Sequence, residues 1–190
     1  MTLVFASNNP NKIQEIQQLM PKHITILSLA SIGCKEDIPE TADTIEDNAI
    51  LKANYITKKY GYNCFADDTG LEVEALDGAP GVHSARYAGE HRDTEDNINK
   101  LLAAMKNKIN RNACFKTVIA LNLNGKQILF TGVARGKINL EQKGNRGFGY
   151  DPVFTPEGHD LTFAEISISL KGEISHRGKA VKQLIDFLKN

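Results

Sequence analysis

Asn124-Gly125 separates two apolar runs, Thr117-Val118-Ile119-Ala120-Leu121-Asn122-Leu123 and Gln127-Ile128-Leu129-Phe130. A two-residue Asn-Gly loop is the chemistry of a tight β-hairpin, because its central residues need positive φ and these two tolerate it best. The dipeptide therefore predicts an antiparallel pair in the middle of the chain. That excludes a purely parallel, doubly wound sheet. Helical and strand patterns alternate on either side of the hairpin. The expected class is α/β, with a mixed sheet and helices packed on it.

The flanking signals are local. Leu3-Val4-Phe5-Ala6 is a short continuous apolar run, the pattern of a buried strand. Asn9 suits an N-cap and Pro10 the first helical position, with Ile13, Ile16 and Met20 along one face. Residues 24–27 read as a second strand and 31–43 as irregular. Thr44 caps the next helix, with Asp47 three residues on as a weak capping box. Its apolar stripe is Ile45, Ala49, Ala53, Ile56 and Tyr60, and Gly61 is its stop. Residues 64–66 and 71–75 read as separate strands, with a turn expected at Thr69-Gly70. A long loop follows, then a helix opened by Asp93 or Thr94. The last helix begins near Ser175, with Val181, Leu184, Ile185 and Leu188 facing the core.

The 190 residues fit one domain, 1–190, with a sizeable core. The 23 basic and 23 acidic side chains cancel, which argues against a general polyanion surface and leaves room for a local anion pocket. The three cysteines, Cys34, Cys64 and Cys114, are widely spaced and odd in number, as in a protein whose thiols stay reduced. A cytoplasmic location is expected. The first residues lack the basic and apolar regions of a signal peptide, and no run reaches membrane-spanning length.

Four segments carry candidate chemistry. In Phe65-Ala66-Asp67-Asp68-Thr69-Gly70-Leu71, two carboxylates end an apolar run. Hard divalent cations such as Mg²⁺ take oxygen ligands, often one or two carboxylates plus substrate phosphates. The same dipeptide also suits an Asx-turn closing a hairpin. Ser7-Asn8-Asn9-Pro10-Asn11-Lys12 joins a buried strand to a helix N-terminus, where free N–H groups and the dipole favour an anion. Lys12 opposes that dipole unless an anion is bound; an ordinary capped helix is the other reading. No GxxxxGK[ST] pattern is present.

Glu40 lies in the loop before the helix carrying Asn48 and Lys52, which share a face at i, i+4. Glu40 is a candidate metal ligand, although acidic residues also suit a helix start for electrostatic reasons. In Gly147-Phe148-Gly149-Tyr150-Asp151-Pro152, flanking glycines let the backbone approach a ligand, and Phe148 offers a ring for a base. A glycine-rich turn with both aromatics in the core fits as well. Lys171 and Ser175-His176-Arg177-Gly178 bring donor-rich side chains to a helix start that prefers acids, which points to an anionic or carbonyl-bearing ligand. His23, His83, His91 and His159 have no metal-ligand spacing, and Cys64 is expected to be packed, not reactive.

These segments, with Gly78-Ala79-Pro80-Gly81 and Ser84-Ala85-Arg86-Tyr87, follow one another in the order found in a known family. The chain resembles the inosine-triphosphate pyrophosphatases, which act on non-canonical purine nucleoside triphosphates, over essentially its whole length. The resemblance implies an elongated central sheet flanked by helices, with two lobes and a central cleft. It implies hydrolysis of ITP, dITP and XTP to the monophosphate and pyrophosphate, a Mg²⁺ requirement and a homodimer.

By residue match, Asp68 would be the general base, and Glu40 and Asp68 would contact the metal. Ser7, Asn8, Asn9, Pro10, Asn11, Lys12, Thr69, Phe148, Gly149, Tyr150, Asp151, Lys171, His176 and Arg177 would bind substrate. Asn8 replaces a common glycine, and Thr69 a commoner serine. A related pyrophosphatase for pyrimidine or modified nucleotides, and a catalytically silent nucleotide- or RNA-binding module, are the alternatives.

Overall fold

A computed structural model describes residues 1–189. The strands are β1 (Thr2–Phe5), β2 (Thr25–Leu27), β3 (Cys64–Val73), β4 (Pro80–Gly81), β5 (Asn112–Leu123), β6 (Lys126–Ile138) and β7 (Phe154–Pro156). The helices are α1 (Pro10–Leu19), α2 (Ile45–Tyr60), α3 (Thr94–Ala104), α4 (Ile168–Ile174) and α5 (His176–Leu188). The strand order is β2-β1-β3-β5-β6-β7, with β4 on β3 off this path. β1 pairs in parallel with β2 and β3, whereas β3–β4 and β6–β7 are antiparallel. The sheet is mixed, and the protein is α/β.

The chain divides into two compact units. The first comprises Met1–Asp68, Thr117–Gly132 and the stretch from Arg177. The second comprises Thr69–Lys116 and Val133–His176.

In the first unit, β1 lies between β2 and β3, with Val4 opposite both Leu27 and Cys64. Such a strand is covered on both faces, which explains its unbroken apolar run. Leu3, Phe5, Phe65, Ile119 and Leu121 form the core with Ile16 of α1 and Val181 and Leu184 of α5. The Phe5 and Phe65 rings stack with centroids 4.9 Å apart. Asn9 caps α1 with its side chain, and Thr44 caps α2 by accepting from the Asp47 N–H. The hairpin turns where expected, with φ of 50° at Asn124 and 78° at Gly125.

In the second unit, Leu71 and Val73 of β3 pack with Ile98 and Leu101 of α3 and with Phe115, Phe154 and Phe163. Phe115 meets Phe154 edge-on at 4.8 Å between centroids, and Phe154 meets Phe163 at 5.1 Å.

Two local expectations are corrected. No turn interrupts the chain at Thr69-Gly70: β3 continues through Asp67, Asp68, Thr69 and Gly70, joining the two expected strands into one. Helix α4 was not expected; Ser167 caps it by accepting from the Leu170 N–H. Its seven residues are too few for a clear 3.6-residue pattern.

Candidate active site

The carboxylates of β3 organise the polar cluster of the first unit. Successive side chains of a strand face opposite sides, and Asp67 and Asp68 meet different cations. Asp67 is 1% exposed. Its Oδ1 accepts from Lys12 Nζ at 3.0 Å and its Oδ2 from Arg177 Nε at 3.1 Å. Arg177 also donates through Nη1 to Glu15 Oε2 at 2.6 Å. Burial alone would raise the Asp67 pKa, but Lys12, Arg177 and Lys52 outweigh it and hold the carboxyl well below the usual range. On Lys12 the balance falls the other way. Burial lowers its pKa more than Asp67 raises it, and the nearby Lys52 and Arg177 charges add to the drop.

Asp68 answers to Lys52. The Lys52 ammonium, on α2, donates to Asp68 Oδ1 at 3.1 Å and to Glu40 Oε1 at 2.6 Å. Burial pushes the Asp68 pKa up and the Glu40 charge adds to this, against the pull of Lys52 and Lys12. Burial would lower the Lys52 pKa, but Asp68, Glu40 and Asp67 more than offset it, so it lies above the ordinary value. Lys12, Lys52 and Arg177 thus share a region with Glu15, Glu40, Asp67 and Asp68, three cations against four carboxylates.

At the start of α1, two N–H groups expected to be open to an anion are already satisfied. Asn9 Oδ1 accepts from Asn11 N at 3.0 Å and from Lys12 N at 3.2 Å. Ser7 Oγ accepts from Asn9 N at 3.2 Å. Asn8, Pro10 and Asn11 are exposed, whereas Ser7 and Lys12 are half-buried. Lys12 does not simply oppose the helix dipole, because Asp67 supplies its counter-charge.

In the second unit, Asp151 is the knot. Its Oδ2 accepts from Phe148 N at 2.8 Å and from Lys171 Nζ at 2.6 Å. The Lys171 ammonium lies 5.1 Å from the centroid of the Phe148 ring. Gly147 has φ of +71°, and a Cβ there would stand 2.0 Å from Asp151 Oδ2, so the loop can wrap this carboxylate only without a side chain. Tyr150 is buried and donates to the Ser84 carbonyl at 2.8 Å, while Gly149 is half-buried. His176 stacks on Phe115, centroids 4.5 Å apart and planes 16° apart. Thr69 follows Asp68 directly on β3, and Arg177 follows His176 in the first turn of α5.

The structure thus joins Lys12 and Arg177 through Asp67, Glu40 and Asp68 through Lys52, and Phe148 and Lys171 through Asp151. Sequence reasoning left Lys52 and Glu15 outside the candidate site. The i, i+4 pairing of Lys52 with Asn48 was a signal for the first; nothing local marks the second.

Glu40 and Asp68 converge on a single cationic nitrogen. Two hard carboxylates gathered on one positive charge fit Mg²⁺, which completes its shell with water and phosphate oxygens. Among the described residues, no cluster of three or more His, Cys, Asp or Glu side chains could hold a metal.

Comparison with known proteins agrees across the whole chain. The Ham1 family model matches residues 3–187. A protein of Flavobacterium psychrophilum named dITP/XTP pyrophosphatase is 67% identical over 190 residues, covering 100% of both chains. One of the same name from Porphyromonas gingivalis is 56% identical over 187 residues, covering 98% of this chain and 96% of the relative. Among solved structures, a HAM1 protein of Coxiella burnetii superposes with a TM-score of 0.92 at 39% identity, covering 100% of this chain and 98% of that one. The Staphylococcus aureus Ham1 protein gives 0.90 at 40% identity, with the same coverage. With its fold, its motifs and its full-length relatives in agreement, the chain belongs to the Ham1 family.

Proposed function

We propose that this chain hydrolyses dITP, ITP and XTP to the nucleoside monophosphate and pyrophosphate, removing them from the nucleotide pool. The observation that carries this reading is the convergence of Glu40 and Asp68 on one cation. It occurs in a chain 67% identical, end to end, to a protein named dITP/XTP pyrophosphatase.

In this reading the 190 residues act as one nucleoside triphosphate pyrophosphatase domain, elongated and two-lobed with a central cleft. Glu40 and Asp68 would hold Mg²⁺, which when bound neutralises triphosphate charge and makes the anhydride a better electrophile. Asp68 takes the proton of the attacking water. A new P–O bond forms, the α–β phosphoanhydride bond breaks, and pyrophosphate leaves with the bond's electron pair. Burial favours this role, because a carboxylate with a raised pKa is a stronger base. Lys12 and Ser7 to Asn11 bind phosphates, and Asp67 holds the Lys12 ammonium in place.

Phe148 stacks on the base. Asp151 fixes the Phe148 backbone and the Lys171 ammonium, with Gly149, Tyr150 and Thr69 completing the contacts. His176, Arg177 and backbone N–H groups donate to the 6-oxygen of hypoxanthine or xanthine. Adenine carries an amino group there and is mismatched, and a site built to pair with an oxygen rejects a partner that cannot accept.

The protein is read as a cytoplasmic homodimer that binds neither nucleic acid nor membrane. Its three cysteines are free thiols, its net charge is zero, and no helix among the described residues is long and apolar enough to cross a membrane. Light scattering behind a sizing column tests the dimer.

The function is tested by pyrophosphate release from a panel of nucleoside triphosphates with Mg²⁺. Turnover of dITP, ITP and XTP well above dATP is expected. Preference for UTP or TTP would move the assignment to a pyrimidine pyrophosphatase, and binding without release would make the protein a silent module.

A further inference from the structure

Helix α2 does more than carry Lys52. Asn48, Lys52, Tyr55 and Lys59 recur at i, i+4, i+7 and i+11, a single stripe along the helix. Each of them holds a point on the loop before the helix. Asn48 is buried; its Oδ1 accepts from Ala42 N at 3.0 Å and its Nδ2 donates to Ala42 O at 3.3 Å. Lys52 holds Glu40 at 2.6 Å. Glu36 Oε1 accepts from Tyr55 Oη at 2.9 Å, from Tyr60 Oη at 2.8 Å and from Lys59 Nζ. The loop therefore runs antiparallel to the helix, tied at Glu36 and Ala42, with Glu40 between the ties.

The lengths match. From Asn48 to Lys59 the helix rises about 16 Å, and the loop from Glu36 to Ala42 spans about 20 Å when extended. A segment tied at both ends with so little excess length holds its middle residue in a narrow range of positions. Lys59, then Tyr60 and Tyr55, hold the Glu36 carboxyl well below the usual range, so it remains an anion.

We propose that Glu36 is a positioning residue: its three-donor clamp on α2 keeps the loop taut and sets Glu40 beside Asp68. This rests on the reading of Glu40 and Asp68 as the metal-bearing carboxylates. Groups that orient a metal ligand without touching the metal are worth about 10–100-fold in metal affinity. Glu36 touches neither the proposed substrate nor the reacting atoms. Its effect should appear in metal affinity and disappear when metal is saturating.

The experiment uses the full chain and two readouts. One is the binding of Mn²⁺ alone, followed by electron paramagnetic resonance without nucleotide. The other is the Mg²⁺ dependence of dITP turnover. Glu36→Ala should raise the Mn²⁺ dissociation constant and the half-saturating Mg²⁺ concentration about 10-fold, leaving kcat at saturating Mg²⁺ within about twofold. Glu36→Gln, which keeps an acceptor oxygen, should recover most of the loss, and Tyr55→Phe with Tyr60→Phe should fall between. Metal constants unchanged in Glu36→Ala would overturn the proposal, as would a kcat reduced equally at every Mg²⁺ concentration. Glu40→Gln separates the two levels. If it weakens metal binding and Glu36→Ala does not, the clamp is wrong and the site reading stands. If Glu40→Gln changes neither readout, the metal assignment of Glu40 falls and the clamp proposal with it.

Discussion

Asp67 and Asp68 are neighbours on one strand and answer to different cations: Asp67 to Lys12 and Arg177, Asp68 to Lys52. The alternation of strand side chains separates them, and the separation divides their work. Asp67 is held ionised by three cations, so it is a poor proton acceptor and a good fixed counter-charge. Asp68 is raised in its affinity for a proton by burial and by the Glu40 charge, which together outweigh the pull of Lys52 and Lys12.

Asp67→Asn should be the more damaging change for the fold. It leaves the buried Arg177 and the half-buried Lys12 with less compensating charge. Removing one partner of a buried pair costs about 3–5 kcal/mol. The folded-state pKa of Asp67 is depressed, so its contribution is present above the unfolded carboxyl value and is lost as pH falls through the folded one. Urea denaturation at neutral pH should show the loss, and the difference between wild type and variant should shrink toward acid. Equal stabilities at pH 7 would remove Asp67 from this role.

Asp68→Asn should do the reverse, keeping the fold and losing the reaction. The folded pKa of Asp68 is raised, so its ionised form is not favoured by folding, and the amide should unfold at the same temperature or slightly higher. Loss of a general base costs about 10²–10⁴-fold in rate. The check is kcat for dITP beside a thermal melt. Near-normal kcat would exclude Asp68 as the base.

Cys64 tests the packing of β3. It is fully buried, and burial pushes its thiol up to about 12 from an ordinary 9.0. The thiolate is the reactive form, so iodoacetamide at pH 8 should modify Cys64 last, after the half-exposed Cys114, by mass spectrometry of the native protein. Because its folded pKa is raised, the Cys64 contribution is complete below the unfolded value and fades as pH rises from about 9.0 to about 12. Cys64→Ala should therefore flatten the alkaline fall in melting temperature. Early alkylation of Cys64 would contradict the burial of this strand.

What was legible in the sequence was local chemistry. Asn124-Gly125, the Asn9 cap with Pro10, the Thr44–Asp47 cap and the Gly61 stop each act within a few residues, and each is found where expected. Thr69-Gly70 misled because the turn tendency of a dipeptide is weak against strand pairing, and Gly70 is buried inside a ten-residue strand. In the site, residue types were readable and partnerships were not. Lys12 and Asp67 are 55 residues apart, and Asp67 and Arg177 are 110 apart. Nothing in a one-dimensional pattern says which acid meets which base. Glu15 shows this most clearly: on α1 it reads as an ordinary polar residue, and only the fold makes it a partner of Arg177.

The Asp151 knot yields a paired prediction, one chemical and one steric. Asp151→Asn keeps the shape and removes the charge that holds Lys171, at a cost of about 1.5–3 kcal/mol for a hydrogen bond to a charged group. Gly147→Ala keeps the charge and drives a methyl group into the space of Asp151 Oδ2, on a backbone with positive φ. Both changes release the Phe148 backbone and the Lys171 ammonium from their common anchor. Both should therefore raise KM for dITP about 10–150-fold, the range given by that energy, with a smaller change in kcat, because the proposed mechanism gives the reacting phosphate to Asp68 and Glu40. Steady-state kinetics on the two variants provides the check. A KM that rises in Asp151→Asn but not in Gly147→Ala would mean that charge alone matters and the position of the carboxylate does not. A KM unchanged in both would remove the Phe148–Asp151–Lys171 group from substrate binding.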